Sequence, residues 1–259
     1  MGYETIILEK KDKIATLTLN RPPMNPLNRQ MYEELIQVSG QLDADPGTKV
    51  VVVTGAGDKA FAAGLDVKDV QGKSVTEIMD FLACSGDAYK KVAAIEKPVI
   101  AAINGLALGG GLELALRCDL RIASDKAQFG QPEINLGIIP GGGATQLLPR
   151  LIGAARAKEI FFTGDTFDAQ KALELGLVSR VVPAEKLMEE VMDLAAAIVA
   201  KPAVALKMAK LAVDHGLNMD LGSALIYEKE CFILSFTSED GREGLRAFVE
   251  KRKPNYQDK

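Results

Sequence analysis

The chain has one histidine, His215, and no tryptophan in 259 residues. A zinc centre built from His and Cys at ligand spacing is therefore excluded. A Ser-His triad would have to use His215, which stands in Asp214-His215-Gly216 like a helix C-terminus, and no G-x-S-x-G occurs. Cysteine is equally sparse. Cys84, Cys118 and Cys231 are odd in number, far apart and without a C-x-x-C pair. That argues against a disulfide framework and for a reducing compartment. Cys118 follows an apolar helix and reads as a buried thiol. No uncharged apolar run reaches the roughly 18 residues that a membrane span needs. The N-terminus lacks a basic segment followed by an apolar one. Ile6 stands where myristoylation wants Ser or Thr. Nor is there an excess of positive charge: Lys+Arg is 31 against Asp+Glu 35, a net charge of −4. A strongly basic nucleic-acid surface is excluded. The expectation is a cytoplasmic protein without nucleic-acid or membrane partners.

What is present is ordinary in bulk and irregular in detail. Hydrophobic residues are 47% and charged residues 25%, close to the globular average. A chain of this length buries about three quarters of its unfolded surface, so it needs no metal or disulfide to fold. Residues 5–9 and 14–20 read as a β-hairpin, ended by Pro22-Pro23. Met31, Leu35, Val38 and Leu42 mark one face of a helix over 28–43. The runs at 50–54, 98–103 and 120–123 are apolar on both faces and read as buried parallel strands. Helices are expected between them, near 76–95 and 109–117, which gives an α/β core. After about residue 153 helices dominate, at 154–163, 168–175, 185–200, 202–214 and 220–234. The expected division is an α/β core over 1–190 and a helical region over 191–259.

The glycines cluster at three places. Gly55-Ala56-Gly57-Asp58-Lys59-Ala60 fits G-x-G-x-x-[GA], but no long apolar helix follows. A strand-to-loop turn is the better reading than a dinucleotide site. Gly109-Gly110-Gly111 stands directly before an Ala/Leu helix. Its bare N–H groups could hold a developing anion, with Glu113 on the face of Gly110. The same residues also fit tight packing, with Glu113 merely favouring the positive helix end. The third cluster is Gly130 with Gly137 and Gly141-Gly142-Gly143, and between its glycines Glu133 lies among Ile134, Leu136, Ile138 and Ile139. Apolar surroundings would raise its pKa and let it hold a proton for delivery; the alternative is an exposed loop carboxylate.

At these motifs the chain resembles the enoyl-CoA hydratase/isomerase (crotonase) family along its whole length. The resemblance is carried by Leu19-Asn20-Arg21-Pro22, by the segment from Phe61 to Lys68, by Ala107 to Ala115 and by Cys118-Asp119. It continues through Phe129-Gly130-Gln131-Pro132-Glu133, Gly137 to Gly141, Thr145-Gln146, Thr163-Gly164-Asp165 and Gly176-Leu177-Val178, and ends in Phe248 to Arg252. It implies a spiral of ββα units with a C-terminal helical part that builds trimers or hexamers. It also implies a coenzyme A thioester substrate, coenzyme A being carried by that substrate rather than by a separate cofactor. The shared chemistry is an enolate held by two backbone N–H groups, which fall by motif on Leu65 and Gly110.

Most similar are the hydratases, which have both glutamates. By that resemblance Glu113 activates water at Cβ and Glu133 delivers a proton at Cα. Lys68 falls at the position near the adenine and phosphates of coenzyme A, and Met24 where a backbone carbonyl meets the adenine. Ala63, Asp66, Val67 and Gly141 complete the implied substrate set. Phe248 and Lys251 match positions that reach a neighbouring subunit's coenzyme A. The loop Met24-Asn25-Pro26-Leu27 departs from the commoner Ala-Leu-Asn-Ala-Leu form. Other reactions of the family, isomerisation among them, remain the rival reading. RNA binding would need a basic helix, and 28–43 offers only Arg29.

Overall fold

The computed structural model describes residues 2–259. β1 (Ile6–Lys11) and β2 (Ile14–Leu19) form the hairpin, in register from Ile6↔Leu19 to Lys11↔Ile14. Asp12 and Lys13 both have positive φ, as the tight turn best suited to twisted strands requires. α1 (Arg29–Ala44) starts at Asn28, whose side chain accepts from the Met31 N–H. Its buried face carries Met31, Leu35, Val38 and Leu42 as read from the sequence. β3 (Val50–Gly55), β4 (Ala60–Ala62) and α2 (Val75–Ala93) follow, then β5 (Val99–Ile103), β6 (Leu106–Leu108) and α3 (Gly110–Ala115). Next come β7 (Leu120–Ser124), β8 (Gln128–Gly130), a 3₁₀ turn over Pro132–Leu136, α4 (Ala144–Ile152) and α5 (Ala154–Thr163). β9 (Thr166–Asp168), α6 (Ala169–Glu174) and β10 (Arg180–Val182) close the α/β part. The remaining helices are α7 (Leu187–Val199), α8 (Ala203–Gly216), α9 (Leu221–Thr237) and α10 (Glu239–Val249).

Two sheets share these strands. One has the order β1-β2-β3-β5-β7-β10 and the other β4-β6-β8-β9. Each turn of the chain adds a long strand to the first sheet and a short one to the second, then a helix or 3₁₀ turn. This is the spiral of ββα units that the resemblance implied. β3 and β5 are buried on both faces, which is why they read as unbroken apolar runs. Val51 and Val53 face the main core with Leu35, Phe61 and Leu112. Val50 and Val52 face the opposite side, against Leu187, Val191 and Ala195 of α7.

The structure adds elements that the sequence did not show. β4, β6 and β8 have three residues each and are rich in Ala and Gly, so no strand pattern was legible there. α4 and α10 are also additions. The boundary expected at 190/191 falls inside α7, a helix that packs on the first sheet. The helical layer outside the core therefore begins at α8. Among the described residues, no helix is long and apolar enough to cross a membrane.

Candidate active site

The three short parallel strands explain why distant residues meet. β4 pairs with β6 (Ala62↔Ala107) and β6 with β8 (Leu108↔Gly130). Their carboxyl ends finish side by side, where ligands bind in open α/β sheets. Ala63-Gly64-Leu65 follows β4, Gly109-Gly110 follows β6, and Gln131-Pro132-Glu133 follows β8.

Leu65 forms an isolated parallel bridge with Leu27. The Leu27 N–H donates to the Gly64 carbonyl at 2.8 Å and the Asp66 N–H to the Leu27 carbonyl at 2.9 Å. Leu65's own N–H consequently faces the other way. Gly110 is the first residue of α3, so its N–H has no acceptor inside the helix. The two amides are neighbours: a Cβ built on Gly64 would lie 3.7 Å from the Gly110 nitrogen. The triple glycine is demanded three times over. Gly109 has φ 50° and ψ −123°, Gly110 would carry a Cβ 2.9 Å from the Tyr89 hydroxyl, and a Cβ on Gly111 would overlap the Ala62 carbonyl. Tyr89 Oη donates to the Gly110 carbonyl at 3.0 Å and pairs with Tyr32 Oη at 3.1 Å.

The two glutamates have different surroundings. Glu113 is buried, with 3% of its surface exposed. Its Oε1 accepts from the Gly142 N–H at 2.7 Å and the Ala144 N–H at 3.0 Å, at the start of α4. Burial raises its pKa; those N–H groups and the Arg117 charge oppose the rise. Glu133 is half-buried on the 3₁₀ turn. Burial pushes it up to about 7, its own N–H opposes this, and the Glu113 charge adds to it. The apolar neighbours in sequence are not what buries it. Ile134, Leu136, Ile138 and Ile139 are all exposed. The carboxyl instead packs over Gly109, where a Cβ would stand 2.7 Å from Glu133 Oε1.

The fully buried Gln131 amide lies 3.0 and 3.1 Å from the two Glu133 oxygens. Placed nitrogen-inward, the orientation that satisfies both ends of the amide, it donates to both carboxylate oxygens. Tyr89 carries no motif signal, and Gln131, Gly142 and Gly143, though they stand in the motifs or glycine clusters, had no role assigned from sequence. Only their neighbourhood in space reveals them.

Of the implied substrate residues, Ala63, Leu65, Asp66, Val67 and Lys68 follow β4 as one segment. Asp66 caps the short 3₁₀ turn Val67–Asp69 and pairs with Arg21 at 2.9 Å. Val67 and Lys68 are exposed. The Met24 carbonyl accepts from the Ala63 N–H at 2.9 Å, which anchors the Met24 loop beside this segment. Gly141 lies under Leu82, whose Cδ2 would be 3.3 Å from a Cβ there. Phe248 and Lys251 are not brought to this cluster within one chain. They stand at and just beyond the end of α10, which packs on α9, and Phe248 is 84% exposed.

Comparison with known proteins agrees in sequence and in shape. The family model described as enoyl-CoA hydratase/isomerase matches residues 9–259. The crotonyl-CoA hydratase of Syntrophomonas wolfei is 45% identical over 257 residues, covering 99% of both chains. The short-chain-enoyl-CoA hydratase of Clostridium acetobutylicum is 42% identical over 254 residues, 98% of this chain and 97% of the other. The enoyl-CoA hydratase structure from Bacillus anthracis superposes with a TM-score of 0.95 at 41% identity, covering 99% of this chain and 100% of that one. The convergence at the ends of β4, β6 and β8 is thus that of a shared architecture, and the chain belongs to the enoyl-CoA hydratase/isomerase family.

Proposed function

We propose that this chain is an enoyl-CoA hydratase. It adds water across the 2,3 double bond of an enoyl-CoA thioester to give the 3-hydroxyacyl-CoA, and reverses the reaction. One observation carries the reading: two carboxyls in contrasting environments flank two free backbone N–H groups. The Leu65 and Gly110 N–H groups hold the thioester oxygen as it becomes an enolate; one such donor is typically worth about 3 kcal/mol. Glu113, acting as the carboxylate to which two N–H groups donate, takes a proton from the attacking water. Glu133, with its pKa pushed up to about 7, gives its proton to Cα. Dehydration runs the same transfers backwards. The acid and base belong to the protein and coenzyme A to the substrate, so the reaction needs no separate cofactor.

The segment Ala63 to Lys68, with Met24, lies where the coenzyme A part would run. The names of the two relatives favour a short acyl chain. The test is loss of enoyl absorbance on crotonyl-CoA, followed by a panel of longer enoyl thioesters. Hydration of crotonyl-CoA, weakening with chain length, is the expected result. Double-bond migration without hydration would replace the reading with an isomerase.

The protein is proposed to work as a trimer or hexamer. α8 and α9 together bury one residue, Cys231, and leave Val213, Leu221, Ile226, Phe232 and Ile233 exposed. Exposed apolar surface on this scale marks a partner, and Phe248 and Lys251 would then reach a neighbour's coenzyme A. Light scattering at micromolar concentration is expected to give three or six times the chain mass; a monomer mass overturns this. Three free cysteines fit a cytoplasmic setting.

A further inference from the structure

Arg117 lies one turn beyond Glu113 and has no part in the roles assigned above. Its Nη2 donates to the Gly142 carbonyl at 2.7 Å. The Gly142 N–H donates to Glu113 Oε1 at 2.7 Å. One glycine is therefore gripped on both sides by two side chains of the same helical stretch. The fit is tight. A Cβ on Gly142 would lie 2.5 Å from Glu113 Oε2 and overlap the Tyr89 ring, and a Cβ on Gly143 would overlap Arg117 Nη2.

Beneath the guanidinium lies the Tyr89 ring, its centroid 6.0 Å away, within cation–π reach. Tyr89 in turn holds the Gly110 carbonyl. Arg117 thus touches the supports of both the carboxylate and one oxyanion donor. Its Nε is buried without a partner.

We propose that Arg117 is a positioning residue for Glu113, its guanidinium fixing the Gly142 carbonyl so that the Gly142 and Ala144 N–H groups stay aimed at the carboxylate. The inference rests on the hydratase reading, in which Glu113 acts ionised. Four titratable groups interact with Glu113: Tyr32 on α1, Tyr89 on α2, Glu133 after β8, and Arg117 itself. Burial keeps both tyrosines neutral, and Glu133 carries the same sign of charge as Glu113. Arg117 is the cation of the group.

The test compares wild type, Arg117→Met and Arg117→Lys in crotonyl-CoA hydration across pH, with thermal unfolding alongside. For the Met variant, kcat is expected to fall roughly 10- to 100-fold, the cost of a misplaced catalytic group. KM should stay within threefold. Losing a cation raises the Glu113 pKa, so the acid limb of kcat/KM should move to higher pH. Arg117→Lys keeps the charge and should keep the limb near its wild-type position. It should regain only part of kcat, because an ammonium lacks the planar fork.

An unmoved limb with kcat within twofold overturns the inference, and so does lowered thermal stability with the profile unchanged. A Lys variant shifted as far as the Met variant also overturns it. Should the Met variant not fold, Arg117→Gln carries the test, since it keeps a donor for Gly142 without the charge. Its limb must shift, and an unmoved limb again overturns the inference. Failure of wild type to hydrate crotonyl-CoA would defeat the hydratase reading itself. An active wild type, with a limb that Glu113→Gln abolishes and Arg117→Met leaves in place, would defeat this inference alone.

Discussion

Glu113→Gln and Glu133→Gln are each expected to lower kcat for hydration by on the order of 10²–10⁴, the range for a positioned acid or base. KM should change little, because neither carboxyl is among the proposed coenzyme A contacts. Gln keeps size and polarity, so misfolding does not mimic the loss. The double variant should be far less than additively worse, since both groups act in one transition state. The pH profile separates their roles. Hydration needs Glu113 ionised and Glu133 protonated, so its kcat/KM should fall as pH rises through about 7, where Glu133 titrates. Dehydration runs through the same singly protonated pair and the reaction takes up no net proton, so its kcat/KM should fall through the same region in step. The two limbs are apparent values of an interacting pair. Glu133→Gln should remove the limb near 7 from whatever activity remains. Hydration kept within threefold in Glu113→Gln would reject the paired mechanism in favour of a single-acid one.

Gly109→Ala should be almost as damaging, without removing any functional group. Gly109 has φ 50° and ψ −123°, a region that costs a side chain about 1–3 kcal/mol of strain. Its new Cβ would stand 2.7 Å from Glu133 Oε1. Either the carboxyl moves away from the substrate or the peptide carrying the Gly110 N–H rotates. Loss of one oxyanion donor alone costs about 10²–10³ in kcat, and a fall of that order is expected here. Gly176→Ala is the control. It too has positive φ, 74°, but opens onto free space. It should lose some thermal stability and keep its kcat. A Gly109→Ala enzyme with kcat within threefold of wild type would show that this glycine does not hold the site in shape.

The sequence and the structure part company at particular residues. β3 and β5 were legible because strands buried on both faces must be apolar throughout, as Val50 to Val53 are. α1 was legible because its core face repeats Met31, Leu35, Val38 and Leu42. β4, β6 and β8 were not. Three residues of Ala, Leu, Phe or Gly carry no period, and their pairing exists only once the long strands are in place. Residues alone left Glu113 and Glu133 open between catalysis and packing; the family resemblance tipped that balance. Neither source pointed to Gln131 or Arg117. Their partners, Glu133 and Gly142, are met through folded geometry.

The Leu65 and Gly110 amides belong to the main chain, which no exchange of side chains short of proline can delete. On the proposed reading, a lineage carrying this scaffold can vary the side chain at Leu65 and even the two carboxyls, and still retain a cradle for an enolate. What drifts is which proton is moved and which acyl group fits. The capacity to stabilise the anion is inherited with the register of β4, β6 and β8. New reactions on this backbone therefore begin with the hardest part of the chemistry already in hand.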